Sequence, residues 1–432
     1  MLFLLHISQF SRLLSYASGL PSARSKADEQ ADGVAHTVRA TWENPTDTMT
    51  ILLIIGGDTV LRSLAQLSGR HFTPVAFSFG WIAYSFDALM SVFGSGRLMP
   101  PPDYDAKVIS AANGFARDNR SWVLGRLLRD FEHPLEDNIA LCVTIFEAIP
   151  GAKVGVPDID WCWIVGVVVI LLQLVVAAIP CAVDDDWSIL TITGGGTILA
   201  LVTGALPQWR FEKWACRPNT AKALSLTGGN GSRSVMVIIG NGVGLDLEDL
   251  AVAESPRLLR RGSERGNPRR IFVNLPLALW MTQASCVVLS ALWIVLLITV
   301  TSLKQNTWYL LLVGGLGMAQ NIVAAGARRG LGASGIHLRK IEKFKGEKVM
   351  HALMDTECAY RKIGRSLLHE FFPEADGLRE TEIKWWEGDR TAYEQERAKN
   401  FPQFVQEKAV SARKNSAARQ KWEVAVSSKK YM

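Results

Sequence analysis

The sequence predicts an all-α integral membrane protein of five or six transmembrane helices, with cytoplasmic helical loops and a helical C-terminal region. Four runs contain no Asp, Glu, Lys or Arg: Cys162–Val183, Ser188–Trp209, Ile271–Leu303 and Gln305–Ala327, of 22, 22, 33 and 23 residues. About 20 apolar residues at 1.5 Å rise cross a hydrocarbon core of roughly 30 Å, so each run is long enough to span. Basic residues gather beside these runs, with 11 Lys+Arg against 6 Asp+Glu over 210–275 and 22 against 15 over 328–432. Trp161, Trp163, Trp187, Trp209, Trp214 and Trp308 fall near the run ends, where interfacial belts place indoles. A hydrophobic content of 48%, gathered into such runs, excludes a soluble globular chain and a disordered one.

Residues 1–49 read as a flexible or interfacial N-terminal extension, with a short apolar run that lacks the basic lead of a signal peptide. Residues 50–96 hold an interfacial helix and a first span. Ile51–Leu67 is short and carries Asp58 and Arg62, which suits an interfacial or tilted helix; Pro74–Phe93 is interrupted only by Asp87 and counts as membrane-spanning. Residues 97–161 form a loop opening on LMPPPDYD and continuing as helix over Val108–Leu128. Two transmembrane hairpins, 162–209 and 276–327, flank the basic loop 210–275. In that loop Val235–Ile239 is a short apolar strand followed by the glycines 240, 242 and 244. The glycine spacing departs from G-x-G-x-x-G and is followed by Asp246, Glu248 and Asp249, so it reads as a plain strand, turn and helix rather than a dinucleotide site. Residues 328–391 are an amphipathic helical region, with Val349, Leu353, Ile363, Leu367 and Phe371 at helical steps, and 392–432 a basic, polar tail.

Lys and Arg are retained on the cytoplasmic side of a membrane. The turn Asp184–Trp187 carries no base and is expected outside; 210–275, the C-terminal region and 97–160 are then expected in the cytoplasm. Whether the membrane is the plasma membrane or an endomembrane is left open by the residues.

Polar groups inside a bilayer are costly and mark candidate sites. Asp87, Gln173, Gln283, Gln320 and Asn321 therefore form a candidate intramembrane polar site, with interhelical hydrogen bonding as the simpler use of the amides. Gly196, Ala200 and Gly204, and Gly315 with Ala319, offer small-residue stripes for close packing. His351 and Asp355 share a helical face, but one helix supplies too few ligands for a closed metal site. The six cysteines contain no C-x-x-C pair. No catalytic, cofactor-binding or metal residue is assigned, and no cofactor is expected. The expected partners are the lipid bilayer, anionic headgroups at the basic cytoplasmic segments, and a protein surface for a helix over 347–372; nucleic acid is not among them.

The stretch TPVAFSFGWIAYSFDALMSVFGSGRLMPP over Thr73–Pro101, GLDLEDLA over Gly244–Ala251, and GRSLLHEFFP over Gly364–Pro373 with the segment Leu378–Trp386 resemble a group of multi-pass membrane proteins of filamentous fungi. The resemblance covers residues 50–390; it implies a fungal source and a membrane location and transfers no residue role.

The expected role is a non-enzymatic membrane scaffold or sensor. One alternative is a secondary transporter or channel using Asp87. A weaker one is a membrane-bound enzyme with a site in the 210–275 loop.

Overall fold

The computed structural model of the chain describes residues 56–253, 271–272, 275–303, 305–373, 377–401 and 415–427. The 1–49 extension, the start of the 51–67 segment and the Arg257–Arg270 cluster lie outside the described residues. The chain forms a helical bundle and a mixed sheet, so the all-α expectation is corrected.

Among the described residues three helices are long and apolar enough to cross a membrane: α4 (Trp161–Asp184), α8 (Leu277–Thr301) and α9 (Thr307–Gly326). A fourth span arises if α5 (Ser188–Gly204) and α6 (Pro207–Lys213), bent by 40°, count as one. Their outward residues are those a hydrocarbon solvent favours, among them Ile164, Val168, Leu171 and Val175 on α4 and Val288, Val295 and Ile298 on α8. The five or six expected spans therefore reduce to three or four. The segment 51–67 supplies α1 (Gly57–Leu67), 11 residues with one buried face. Pro74–Phe93 is not one helix: residues 73–78 are neither helix nor strand, 79–80 are a turn, and only Trp81–Gly94 is helical (α2).

The soluble part is a six-stranded sheet in the order β2-β1-β4-β5-β3-β8. Its strands are β1 (Lys107–Ser110), β2 (Ala116–Asp118), β3 (Leu141–Ala148), β4 (Ala223–Thr227), β5 (Ser234–Ile239) and β8 (Leu338–Gly346); a separate hairpin, β6 (Ile271–Phe272) and β7 (Leu275–Pro276), leads into α8. β3 and β5 run parallel, with Cys142 opposite Ser234 and Glu147 opposite Ile239; the other pairs are antiparallel.

Successive strand residues point to opposite faces, and here both faces are covered. Val235, Val237 and Ile239 of β5 join Val143 and Ile145 of β3 beneath α10 (Val349–Ala359), α11 (Ile363–Phe371) and α14 (Ser416–Ser427). Met236 and Ile238 join Phe146, Leu224 and Leu226 beneath α3 (Trp122–Phe131) and α7 (Leu247–Val252). The helix expected over Val108–Leu128 is thus two strands followed by α3. The single helix expected over 347–372 is broken at Tyr360–Lys362, where Lys362 has φ 77°, and its apolar face packs on the sheet. In the tail, α12 (Glu380–Glu387) and α13 (Thr391–Asn400) bury Trp385 and Tyr393 against Met350 and Met354.

The sheet draws β1 to β3 from the chain before α4, β4 and β5 from the chain between α6 and α8, and β8 from the chain after α9. These three connections therefore lie on one side of the bundle. At the opposite end the two turns meet, the Asn306 side-chain amide donating to Asp186 at 3.1 Å. An impermeant maleimide applied from one side of a sealed membrane to a cysteine-free background should label Asp185→Cys, and from the other side Lys222→Cys and Lys345→Cys. Labelling of positions 185 and 222 from the same side would overturn this arrangement.

Candidate functional site

The non-helical residues 73–80 form a strap enclosed by α4, α5, α8 and α9, with Val75, Ala76, Phe77, Ser78 and Phe79 all buried. A non-helical backbone among apolar helices must find partners for its amides and carbonyls within the protein. Gln173 of α4 donates through Nε2 to Phe77 O and to Val313 O, both at 2.7 Å. Gln320 of α9 accepts from Ala76 N at 3.1 Å and donates to Pro74 O at 3.4 Å. Asn321 donates to Ser78 Oγ at 2.9 Å and to Ala76 O at 3.4 Å. The Trp81 indole closes back on Ala76 O at 2.9 Å, and Thr73 Oγ1 on Gly204 O at 3.0 Å.

Glycines make room for the strap. A Cβ at Gly317 would stand 1.8 Å from Phe77 O, and one at Gly166 2.2 Å from Pro74 O. One at Gly196 would meet the Phe77 ring at 2.5 Å, and one at Gly314 the Phe79 ring at 2.1 Å. The Gly196–Gly204 stripe thus receives the strap rather than a neighbouring helix. On α9 the stripe is shifted: Gly314 and Gly317 make the approach, while Gly315 has nothing within 4 Å.

α2 carries the chain back toward the sheet side. Trp81 stacks on Trp293 of α8 with ring centroids 5.5 Å apart, Ser290 Oγ donates to Ser85 O at 3.1 Å, and the amides of Leu98 and Met99 reach Glu212. Residue numbers rise along α2 as they fall along α8, so strap and α2 enter and leave on one face. The turning point lies deep in the bundle. Gly56, at the start of α1, would put a Cβ 2.6 Å from Met318, and one at Gly80 would lie 2.6 Å from the Gly56 carbonyl group. Met318 stands roughly 16 Å along α9 from Thr307 and about 12 Å from Gly326 at the helical rise.

Of the sequence candidates, Gln173, Gln320 and Asn321 converge on the strap. Gln283 is buried on α8 and makes no hydrogen bond to the strap among the described residues. Asp87 is on the exposed face of α2, beside Phe86 and Met90, and is not brought to the amides. The strap itself was missed by hydropathy, which treats any 20-residue apolar stretch as helix; the pair Thr73-Pro74 and the glycine at 80 were the available signals.

Where the bundle meets the sheet, buried cations satisfy the last carbonyls of helices. Lys213 donates to Ala65 O, Gln66 O and Ser68 O at 2.7, 3.1 and 2.8 Å, closing the end of α1. Arg126 of α3 reaches Ala325 O at 2.7 Å and pairs through two nitrogens with Asp103; Arg129 reaches Ala327 O at 2.7 Å. Arg329 binds Gln66 O at 2.6 Å and both oxygens of Asp160. Between them a cavity of about 20 Å³, lined by Gln66, Arg126, Asp130, Lys213 and Arg329, has room for about one water. In the described part of the 210–275 loop Arg217 pairs with Asp249, and Lys222 with Asp246 and Glu248.

His351 and Asp355 do share a helix face, but the Asp355 carboxylate is held by Arg397 at 2.6 and 2.7 Å, and the His351 ring packs against Phe401 and Tyr393. Among the described residues no cluster of three or more His, Cys, Asp and Glu could hold a metal. Burial, reinforced by Arg397, lowers the His351 pKa to about 4.

Two predictions follow from these contacts. In thermal unfolding of the protein in detergent, Gly317→Ala and Gly166→Ala should each cost roughly 1–3 kcal/mol or more through overpacking against a strap carbonyl, and Gly315→Ala should be neutral or slightly stabilising; equal effects at 315 and 317 would remove the strap geometry. For His351, the unfolded chain takes up a proton below about pH 6.5 and the folded chain only below about pH 4. Between these values the unfolded state binds more protons, so stability falls as pH drops, by about 1–2 kcal/mol on going to pH 5. His351→Phe should flatten that slope, as read by denaturant midpoints at pH 7 and pH 5.

Comparison of the chain with protein-family models, with curated proteins and with solved structures finds no match, so the strap, the cationic collar and the sheet are what a functional reading has to work from.

Proposed function

We propose that this protein is a non-enzymatic membrane scaffold or sensor, in which a helical bundle holds a mixed α/β domain against the cytoplasmic face of the bilayer. The observation that carries the proposal is the origin of the sheet in three separate inter-helix connections. A domain tied to the bundle at three places moves with it, as a platform does. Arg126 and Arg129 of α3 add direct bonds from the domain to the end of α9, and Lys213 and Arg329 tie the neighbouring end of α1 to α6 and to the start of α4. The cytoplasmic placement rests on the base-rich loops on the sheet side and the base-free turn opposite.

A second reading, a transporter or channel, draws support from the strap and α2, because interrupted helices at depth are a device transporters use around their substrate. Against it, Gln173, Gln320 and Asn321 are occupied with strap groups, and Asp87 faces outward.

Proteoliposomes carrying the purified protein and a trapped pH- or potassium-sensitive dye separate the two. The scaffold reading expects proton and potassium leak equal to that of protein-free vesicles, unchanged by Asp87→Asn. A protein-dependent flux that Asp87→Asn abolishes would replace it with the transport reading.

A further inference from the structure

The sheet face under α14 is an acidic, aromatic groove. On β3, Glu147 accepts from Lys421 at 3.1 Å; its other partners are Asn241 and Arg339. On β8, Glu342 accepts from the Arg419 guanidinium, whose carbon also lies 5.7 Å from the centre of the Phe344 ring. Next to Lys421 on α14, Trp422 is buried beside Tyr360, ring centroids 6.3 Å apart, and donates to Arg361 O at 3.2 Å. Glu342 is only 3% exposed while α14 is in place. The groove therefore recognises three things in order along one helix: a guanidinium, an ammonium and an indole.

Those are also the features by which an anionic bilayer holds an interfacial helix. Residues 413–430 carry six bases, Arg413, Lys414, Arg419, Lys421, Lys429 and Lys430, against the single acid Glu423. The groove offers two carboxylates to the same helix. Geometry places the competitor close by: Ala148, next to Glu147, pairs with Leu338, which follows α9 by 12 residues, so this end of the sheet is its membrane end.

We infer that α14 is an exchangeable ligand of this groove, and that an anionic phospholipid surface competes with Glu147 and Glu342 for Arg419, Lys421 and Trp422. In a neutral membrane α14 covers the groove. In an anionic one it transfers to the headgroups and uncovers an acidic surface shaped for a basic, tryptophan-bearing helix.

The inference rests on the membrane location. The test uses the full chain in lipid nanodiscs, with nitroxide labels at Gln420→Cys on α14 and Arg365→Cys on α11 in a background lacking the native cysteines, and distances read by double electron–electron resonance. In phosphatidylcholine a single docked distance is expected. With 30 mol% phosphatidylserine a second, longer population should appear, at least fivefold more abundant than in phosphatidylcholine. Glu147→Gln with Glu342→Gln should produce the longer population in phosphatidylcholine as well. Distances that do not change with phosphatidylserine, or a docked helix in the double glutamine variant, would overturn the inference alone. A chain that stays monodisperse in plain buffer and does not enter nanodiscs would overturn it together with the membrane location.

Discussion

Everything in the bundle depends on one constraint: the non-helical residues 73–80 sit among apolar helices, where an unpaired amide or carbonyl costs several kcal/mol. Helices satisfy themselves, but an irregular strap does so only in part, as where Val75 N reaches Thr73 O. The two glutamines, the asparagine and the Trp81 indole exist in that environment as substitutes for water. They explain in turn why Gly166, Gly314 and Gly317 carry no side chain, since side-chain amides reach the strap only if backbones come close. Polar residues inside a membrane are often read as marking a path for a substrate. Here they bond groups of the strap itself, so that removing Gln173 takes the side-chain donor from Phe77 O and removing Gln320 takes the acceptor from Ala76 N.

The same principle governs the junction. Helix ends leave carbonyls open, and at the end of the bundle nearest the sheet these are met by cations, from α6 for α1 and from α3 for α9. Lys213 alone closes three of them at the end of α1, and Arg126 and Arg129 meet the last turn of α9. Part of the basic bias beside the spans, which the sequence presents as a topology signal, is thus spent inside the molecule. Arg126 and Arg329 are paired with Asp103 and Asp160 and are buried rather than free to meet headgroups.

What was legible in the sequence, and what was not, follows the range of the signal. α4, α8 and α9 announce themselves because continuous hydrophobicity over 20 residues has few other meanings. Of the sheet, Val235–Ile239 was legible as the strand of a strand, turn and helix; Leu141–Phe146 was hidden because both its faces are covered, and with only Thr144 polar the alternation of period two disappears. The strap was hidden for a different reason, since its burial depends on Gln173 and Gln320, which lie some 100 and 240 positions away. Asp87 looked deep when the segment from Pro74 was taken as a straight helix. With the first part of that segment non-helical, α2 starts at depth and carries Asp87 out toward the sheet side.

The interlacing of the sheet also sets an order on synthesis. β3 lies in the interior of the sheet, with β5 on one edge and β8 on the other, and β8 is made about 200 residues after it. At roughly 5–20 residues per second the ribosome needs on the order of 10–40 s to supply that last strand. Throughout that time the eight buried residues of β3 have at least one unpaired edge, and both until β5 is made, while the bundle helices are still being synthesised. Insertion must therefore precede closure of the domain, and a chain stalled before its final span presents a sticky, half-built sheet that quality-control factors can recognise.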